Sequence, residues 1–241
     1  TRVASFISSA SWAPLKPEKI QVIEAGYRGL FMNRLMVDAC YYRNIYNDFM
    51  GQVRVRQAQD ADGNPIDPFS DPTQAAFYGL VTGDAGNTFQ FTTNNVGTVK
   101  SEGLAVGLEW LFFKGFRAGC NYAWNHLLTG GLSEDFFNDY NTPEHMVNLS
   151  FGNRNVIRNF GFNLAWKWQD AYTWSSTFAQ DGSVPAYSTL DAQVSYTFAS
   201  VKTVAKIGGS NIFNNRHINF YGGPTTGAIW YVSLTFDELM N

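Results

Sequence analysis

Three sets of side chains in this 241-residue sequence could do chemistry. Asp60, Asp62 and Asn64 stand at alternate positions, so their oxygens could converge on one cation as the first ligands of a calcium loop do. Gly63 is misplaced for an EF-hand, Pro65 occupies the turn position, and no bidentate Glu follows at the right distance. A plain turn therefore competes with a loop calcium site there, and no other resident cofactor is expected. His126, His145 and His217 carry imidazoles of the kind that hold transition metals, but no ligand spacing joins them. The third set is aromatic: Tyr172, Trp174 and Phe178 with Tyr187, and later Phe220 and Tyr221, beside Gln169, Asp170 and Gln180. Such rings could stack on a sugar, a peptide side chain or a chelate, or could pack loops against one another. No constellation of nucleophile, acid and base emerges, so an enzyme is not expected.

The elements that position these residues are strands. In the run from Ala228 to Phe236, Ala228, Trp230, Val232, Leu234 and Phe236 alternate with wetter positions such as Ser233 and Thr235. Successive side chains of a strand point to opposite sides, so this run has one apolar and one polar face. The pattern recurs in about nine segments of membrane-strand length. They lie near 18–30, 34–46, 97–112, 116–128, 145–153 and 160–171, then around Leu190–Phe198, around Ala205–Ile207, and at the end. The stretches 48–95 and 172–186 read as long loops. Connections alternate short and long, as tight turns and long outer loops do in outer-membrane barrels.

Composition favours a membrane wall over a soluble core. Charged residues are 15% of the chain, against roughly 25% in ordinary soluble domains. Aromatics reach 16% although mean hydropathy is slightly negative, which suits a wall where only alternate residues meet lipid. Trp110, Trp124, Trp168, Tyr196, Phe198, Trp230 and Phe236 fall near strand ends, where interfacial girdles lie. The apolar faces of the third, fifth, sixth, seventh and ninth strands are expected to carry no charge. Cys40 and Cys120 fall on opposite faces by parity and are expected to stay unpaired. A net charge of −3 with no basic patch argues against nucleic acid as a partner. No apolar run approaches the length of a membrane helix. No leader opens the sequence, so it is expected to have lost one or to be the tail of something longer.

An odd number of strands cannot close a bacterial single-chain barrel, and an open sheet leaves two unpaired edges in lipid. Further strands are therefore expected, from an N-terminal part or from another chain. On the polar face, Glu24, Arg28, Glu109, Asn121, Asn163, Lys167, Asp191, Gln193 and Lys206 are expected to line a lumen.

Three segments carry a family resemblance. Leu15-Lys16-Pro17-Glu18-Lys19 followed by Glu24-Ala25-Gly26-Tyr27-Arg28-Gly29 resembles the opening of a late barrel strand in TonB-dependent outer-membrane receptors. Asn95-Val96-Gly97 leading to Gly103-Leu104 and Gly107-Leu108-Glu109 is similar to a second strand signature of that family. Gly208-Gly209-Ser210-Asn211-Ile212-Phe213-Asn214 resembles its penultimate-strand motif. The style is closest to receptors of the Bacteroidota.

The resemblance implies an all-β fold, an antiparallel transmembrane segment supplying about nine strands of a barrel of about 22 around a plugged lumen. It implies that residues 1–241 are the C-terminal portion of the barrel, with plug and earlier strands elsewhere. Implied partners are outer-membrane lipid, the remaining strands, the plug against the lumen-facing residues, and the inner-membrane TonB complex. A surface lipoprotein or other outer-membrane subunits are compatible with it. The implied function is active import of a scarce nutrient: a siderophore, cofactor, oligosaccharide or peptide. The alternatives are a barrel kept as scaffold or binding component of a larger outer-membrane complex, and a secreted β-sandwich binding module.

Overall fold

The computed structural model describes residues 14–56, 88–128, 140–175 and 182–236. Two long strands open it, β1 (Lys19–Phe31) and β2 (Leu35–Asn47). They are joined where Met32 and Asn33 both take positive φ, 49° and 54°. Two successive left-handed residues give a turn whose twist matches that of the strands it joins. Next come β3 (Met50–Arg56) and β4 (Thr88–Asn95), then β5 (Val99–Leu111), β6 (Arg117–Leu128), β7 (His145–Ile157) and β8 (Phe160–Gln169). The short β9 (Tyr172–Trp174) and β10 (Gly182–Val184) precede β11 (Tyr187–Phe198), β12 (Thr203–Ser210) and β13 (Ile229–Phe236).

Nine of these strands form one antiparallel sheet in the order β1-β2-β5-β6-β7-β8-β11-β12-β13. They coincide with the nine expected segments, with ends differing by a few residues. The two stretches read as loops are not wholly irregular. β3 pairs with β4, and β9 with β10, as separate two-stranded hairpins. Alternation was too short to stand out in β9 and β10, and in β3 and β4 it was masked by the turn formers between them.

The sheet is a single layer. Among the described residues, strands contact their ladder neighbours and no second sheet packs on either face. Val99 and Val184 are the only buried hydrophobic residues described, whereas Trp230, Val232 and Leu234 are 65%, 74% and 72% exposed. A sandwich would bury one face of each sheet against the other, so the soluble sandwich reading fails here. An apolar face this extensive needs an apolar medium to cover it. β1 and β13 lie at the two edges, so the arc is open.

Cross-strand register fixes which side chains share a face. Leu108 lies opposite Val37 and Cys120, Leu149 opposite Cys120 and Trp166, and Val232 opposite Ile207, all on the apolar side. Cys40, opposite Ala105, is on the other side, and both cysteines are free as expected. At the tight-turn end Trp110, Phe112, Phe116, Phe151 and Phe162 form a continuous run of rings, with neighbouring centroids 5.1–5.7 Å apart.

One expectation about this face is corrected. Lys100 and Glu102 continue the parity of Leu104 in β5, so the apolar face of that strand is charged at its outer end. Arg43 sits directly opposite Glu102, which in turn faces His126. The reason is length. β5 has 13 residues, and at ~3.3 Å per residue it reaches ~43 Å, more than 9–11 residues tilted at about 45° need to cross the hydrocarbon. Its outer end stands above the apolar band, where charge is tolerated.

Candidate functional site

The polar face brings the nine expected residues together. Arg28 lies opposite Asp38, Asp38 opposite Gly107, Gly107 opposite Asn121, Asn121 opposite Asn148, and Asn148 opposite Lys167. By the same registers Glu24, Glu109, Asn163, Asp191, Gln193 and Lys206 have their Cα positions on that face. It holds a broad depression of about 830 Å3 lined by Asp38, Glu109, Asn121, Asn163, Gln193 and Lys206. Two ion pairs lie along it. Arg28 donates through Nε to Asp38 Oδ2 at 2.8 Å, with its Nη2 also engaged. Lys167 Nζ donates to Asp191 Oδ2 at 2.8 Å.

Asp191 does more than pair with lysine. Its Oδ1 accepts from Ser210 Oγ at 2.7 Å and from the Asn211 amide at 2.9 Å, so one carboxylate links β8, β11 and the end of β12. Asn211, 3% exposed, continues the chain of bonds: its Nδ2 donates to the Asn215 carbonyl and its Oδ1 accepts from the Asn215 amide. Asn215 Nδ2 reaches the Ser188 carbonyl at 2.8 Å. The positive φ of Asn211 (51°) and Asn214 (54°) gives the segment its tight path, which asparagine tolerates better than most residues. This clasp sets where the loop 211–228 leaves the sheet.

Five of the six expected aromatic residues are described, and two outer loops bring them together. Tyr172 donates through its hydroxyl to the Asn219 carbonyl at 2.8 Å, and Tyr187 to Asn219 Oδ1 at 2.9 Å. Trp174 packs on Phe220 with ring centroids 5.5 Å apart. The Tyr221 ring lies against Gly182, where any Cβ would collide with it. A third loop joins them, since Asn141 donates to the Ser175 carbonyl at 2.9 Å and accepts from the Ser175 amide at 2.7 Å. The rings thus interlock loops, leaving Phe220 and Tyr221 about two-fifths exposed. Phe178 lies outside the described residues, as do Asp60, Asp62 and Asn64.

The histidines occupy separate places. His217 stacks on Tyr187 at 3.9 Å between centroids. His145 Nδ1 is 2.9 Å from the Tyr122 hydroxyl. His126 Nδ1 is 3.0 Å from Glu144 Oε1, an oxygen that also accepts from Trp124 Nε1 at 3.1 Å. The Trp124 bond is the main reason the Glu144 carboxyl is held below its ordinary range, with His126 adding to it. Among the described residues, no three His, Cys, Asp or Glu side chains gather as metal ligands would.

Sequence reading gave no role to Asn141, Asn215 or Asn219, and named Asn211 only within the Gly208–Asn214 motif. Besides that motif the signal was the density of asparagine in the loops, because an amide can both give and accept one bond and so tie two backbones together.

A family model described as "TonB dependent receptor-like, beta-barrel" matches residues 4–214. Comparison with the curated proteins finds no match. Among solved structures, the chain is similar to the siderophore receptor PirA from Acinetobacter baumannii, with 15% identity and a TM-score of 0.57 over 91% of this chain and 32% of that one. It is similar to the FrpB iron transporter from Neisseria meningitidis, with 10% identity and a TM-score of 0.61, covering 91% and 30% of the two chains. A variant of the ferric enterobactin receptor PfeA from Pseudomonas aeruginosa gives 17% identity and a TM-score of 0.59, covering 91% and 31%. The chain spans about a third of the length of these proteins.

Proposed function

The chain belongs to the TonB-dependent receptor-like β-barrel family, and from that premise we propose that it forms the C-terminal wall of a transporter that imports a scarce nutrient. Family members are bacterial outer-membrane proteins and transporters rather than enzymes, and this chain is an outer-membrane protein on that ground. The observation that carries the proposal is the two-faced, single-layer sheet open at both edges. In hydrocarbon an unpaired strand edge leaves backbone groups with no partner, at several kcal/mol each. Further strands therefore flank β1 and β13, and together they enclose the polar face. A plug domain docks on Glu24, Arg28, Glu109, Asn121, Asn163, Lys167, Asp191, Gln193 and Lys206, and contact with the TonB complex lies outside this chain. The exposed faces of Phe220 and Tyr221, above the polar face, belong to the first surface a nutrient meets.

The test is uptake by cells making the full-length receptor. A ferric siderophore, cobalamin, a maltooligosaccharide and a tripeptide serve as labelled probes, with and without a protonophore. The proposal expects saturable accumulation of one class that collapses with the protonophore. Binding of a probe without energised accumulation would support the scaffold reading instead.

A further inference from the structure

Where the loop 211–228 meets the polar face, the sheet holds a second, smaller cavity of about 250 Å3. His217 lines it together with Gln169, Thr189, Thr226, Met146 and Ile229. We propose that this cavity binds one neutral pyranose ring of the ligand, with His217 Nε2 accepting a hydrogen bond from a sugar hydroxyl. The inference rests on the reading that the polar face lines the path of an imported nutrient.

Three observations lead to it. The first concerns the imidazole. His217 Nδ1 lies 2.9 Å from the Asn215 carbonyl, which can only accept, so Nδ1 carries the hydrogen. In the neutral ring Nε2 is then a lone-pair acceptor, and it has no partner among the described residues. The ring does not swing freely, because Tyr187 stacks against it and its backbone exchanges two bonds with Thr226, at 3.2 and 2.8 Å. An acceptor held this firmly selects for a donor at a fixed place.

The second observation concerns charge. Among the described residues Lys167 is the only charged side chain lining the cavity, and its ammonium donates to Asp191 at 2.8 Å. Thr189, Thr226 and Gln169 supply uncharged donors and acceptors, while Met146 and Ile229 supply apolar surface. A sugar ring matches both, with hydroxyls around its rim and C–H groups on its face. A cationic group would meet no carboxylate in this lining, and an anionic one would have to compete with Asp191 for the Lys167 ammonium, whereas a neutral ring does neither.

The third is size. Sites for drug-sized ligands run from about 300 to 1,000 Å3, so a cavity of 250 Å3 is matched in size to a single ring rather than to a whole metal chelate. Met146 supplies one thioether beside the imidazole, but among the described residues no three His, Cys, Asp or Glu side chains gather there, so Cu2+ is carried as a competitor in the test.

The experiment is saturation-transfer NMR on the full-length receptor in detergent micelles. The probes are the methyl glycosides of glucose, galactose and mannose, with catechol and Cu2+ as competitors of other chemistry. Transfer to at least one glycoside is expected, falling threefold or more in His217→Phe, which keeps a ring on Tyr187 but has no lone pair. Thr226→Val should lower transfer similarly, and Arg158→Ala, in the tight turn between β7 and β8 and outside the cavity, should leave it unchanged. No transfer to any glycoside would overturn the inference, as would transfer indifferent to His217→Phe, or His217-dependent binding of Cu2+ or catechol in place of sugar. Because the readout is binding, energised uptake with no glycoside transfer would sink this inference alone. Glycoside transfer without uptake would sink only the transport reading.

Discussion

Single residues on this sheet matter according to the face they occupy. Leu234 and Thr235 are adjacent in β13 but lie opposite Ala205 and Val204, on different sides. An arginine facing lipid near the midplane costs about 2–4 kcal/mol. Leu234→Arg is therefore expected to block assembly of the full receptor, while Thr235→Arg leaves most of it intact. Heat-modifiable migration of outer-membrane fractions checks both, and equal assembly of the two variants would reverse the facing assignment. Asp191 shows a different dependence. Its pairing with the half-exposed Lys167 is worth at most about 1 kcal/mol, but the bonds from Ser210 and the Asn211 amide add about 1 kcal/mol each. Asp191→Ala is expected to lose about 2 kcal/mol in urea unfolding of the vesicle-inserted receptor, and Lys167→Met well under half of that. Glu144 makes its contribution pH-dependent. Its folded pKa is depressed, chiefly by the Trp124 indole, so the stabilisation is present above the ordinary carboxylate range and is lost as pH falls through the folded value. Thermal unfolding of Glu144→Gln should lack that acid-side component, which a pH series from neutral into the acid range reads directly.

Strands and loops show why small residues recur on the polar side. Gly103 lies opposite Tyr42, and a Cβ there would stand 2.5 Å from the Tyr42 ring and 2.6 Å from the Trp124 carbonyl. Gly208 is similarly covered by Tyr231, whose hydroxyl donates to Gln193 Oε1 at 2.9 Å. Large rings lie flat across strands only because the facing residue has no side chain. Gly103→Val is expected to destabilise the receptor by about 1–3 kcal/mol through overpacking, measured by the same urea titration. The outer loops form a second kind of unit. Asn219 receives the hydroxyls of Tyr172 and Tyr187 on its carbonyl and side-chain oxygens, and Asn141 holds Ser175, so three loops share one scaffold. In Asn141→Ala, hydrogen exchange is expected to quicken in the segment around Ser175 as well as beside residue 141. Exchange that rises only next to the substitution would mean the loops are independent.

At the scale of the whole molecule, the open edges decide the outcome. The nine-stranded arc has β1 and β13 at its margins, and lipid offers them no hydrogen bonds. The isolated 241-residue chain is therefore expected not to insert into lipid vesicles in a heat-modifiable form, whereas the full receptor does. The denatured mass of the polypeptide taken from outer membranes separates the two sources of the missing strands. A value far above 27.0 kDa places them on the same chain, and a value near it assigns them to another.

Strand positions and facing were legible in the sequence because both follow from local physics. Alternation with period two, glycine and asparagine at tight turns and scarcity of charge are each set within a few residues, and they located all nine strands of the sheet and the common face of residues as far apart as Glu24 and Lys206. Lys100 and Glu102 fell outside that reading because how far a strand rises above the hydrocarbon depends on its whole length, not on its parity. The loop contacts were decided by the fold alone. Tyr187 and His217, or Asn141 and Ser175, meet because neighbouring strands deliver their loops side by side, and no local pattern encodes a distance between loops that the sheet must first bring together.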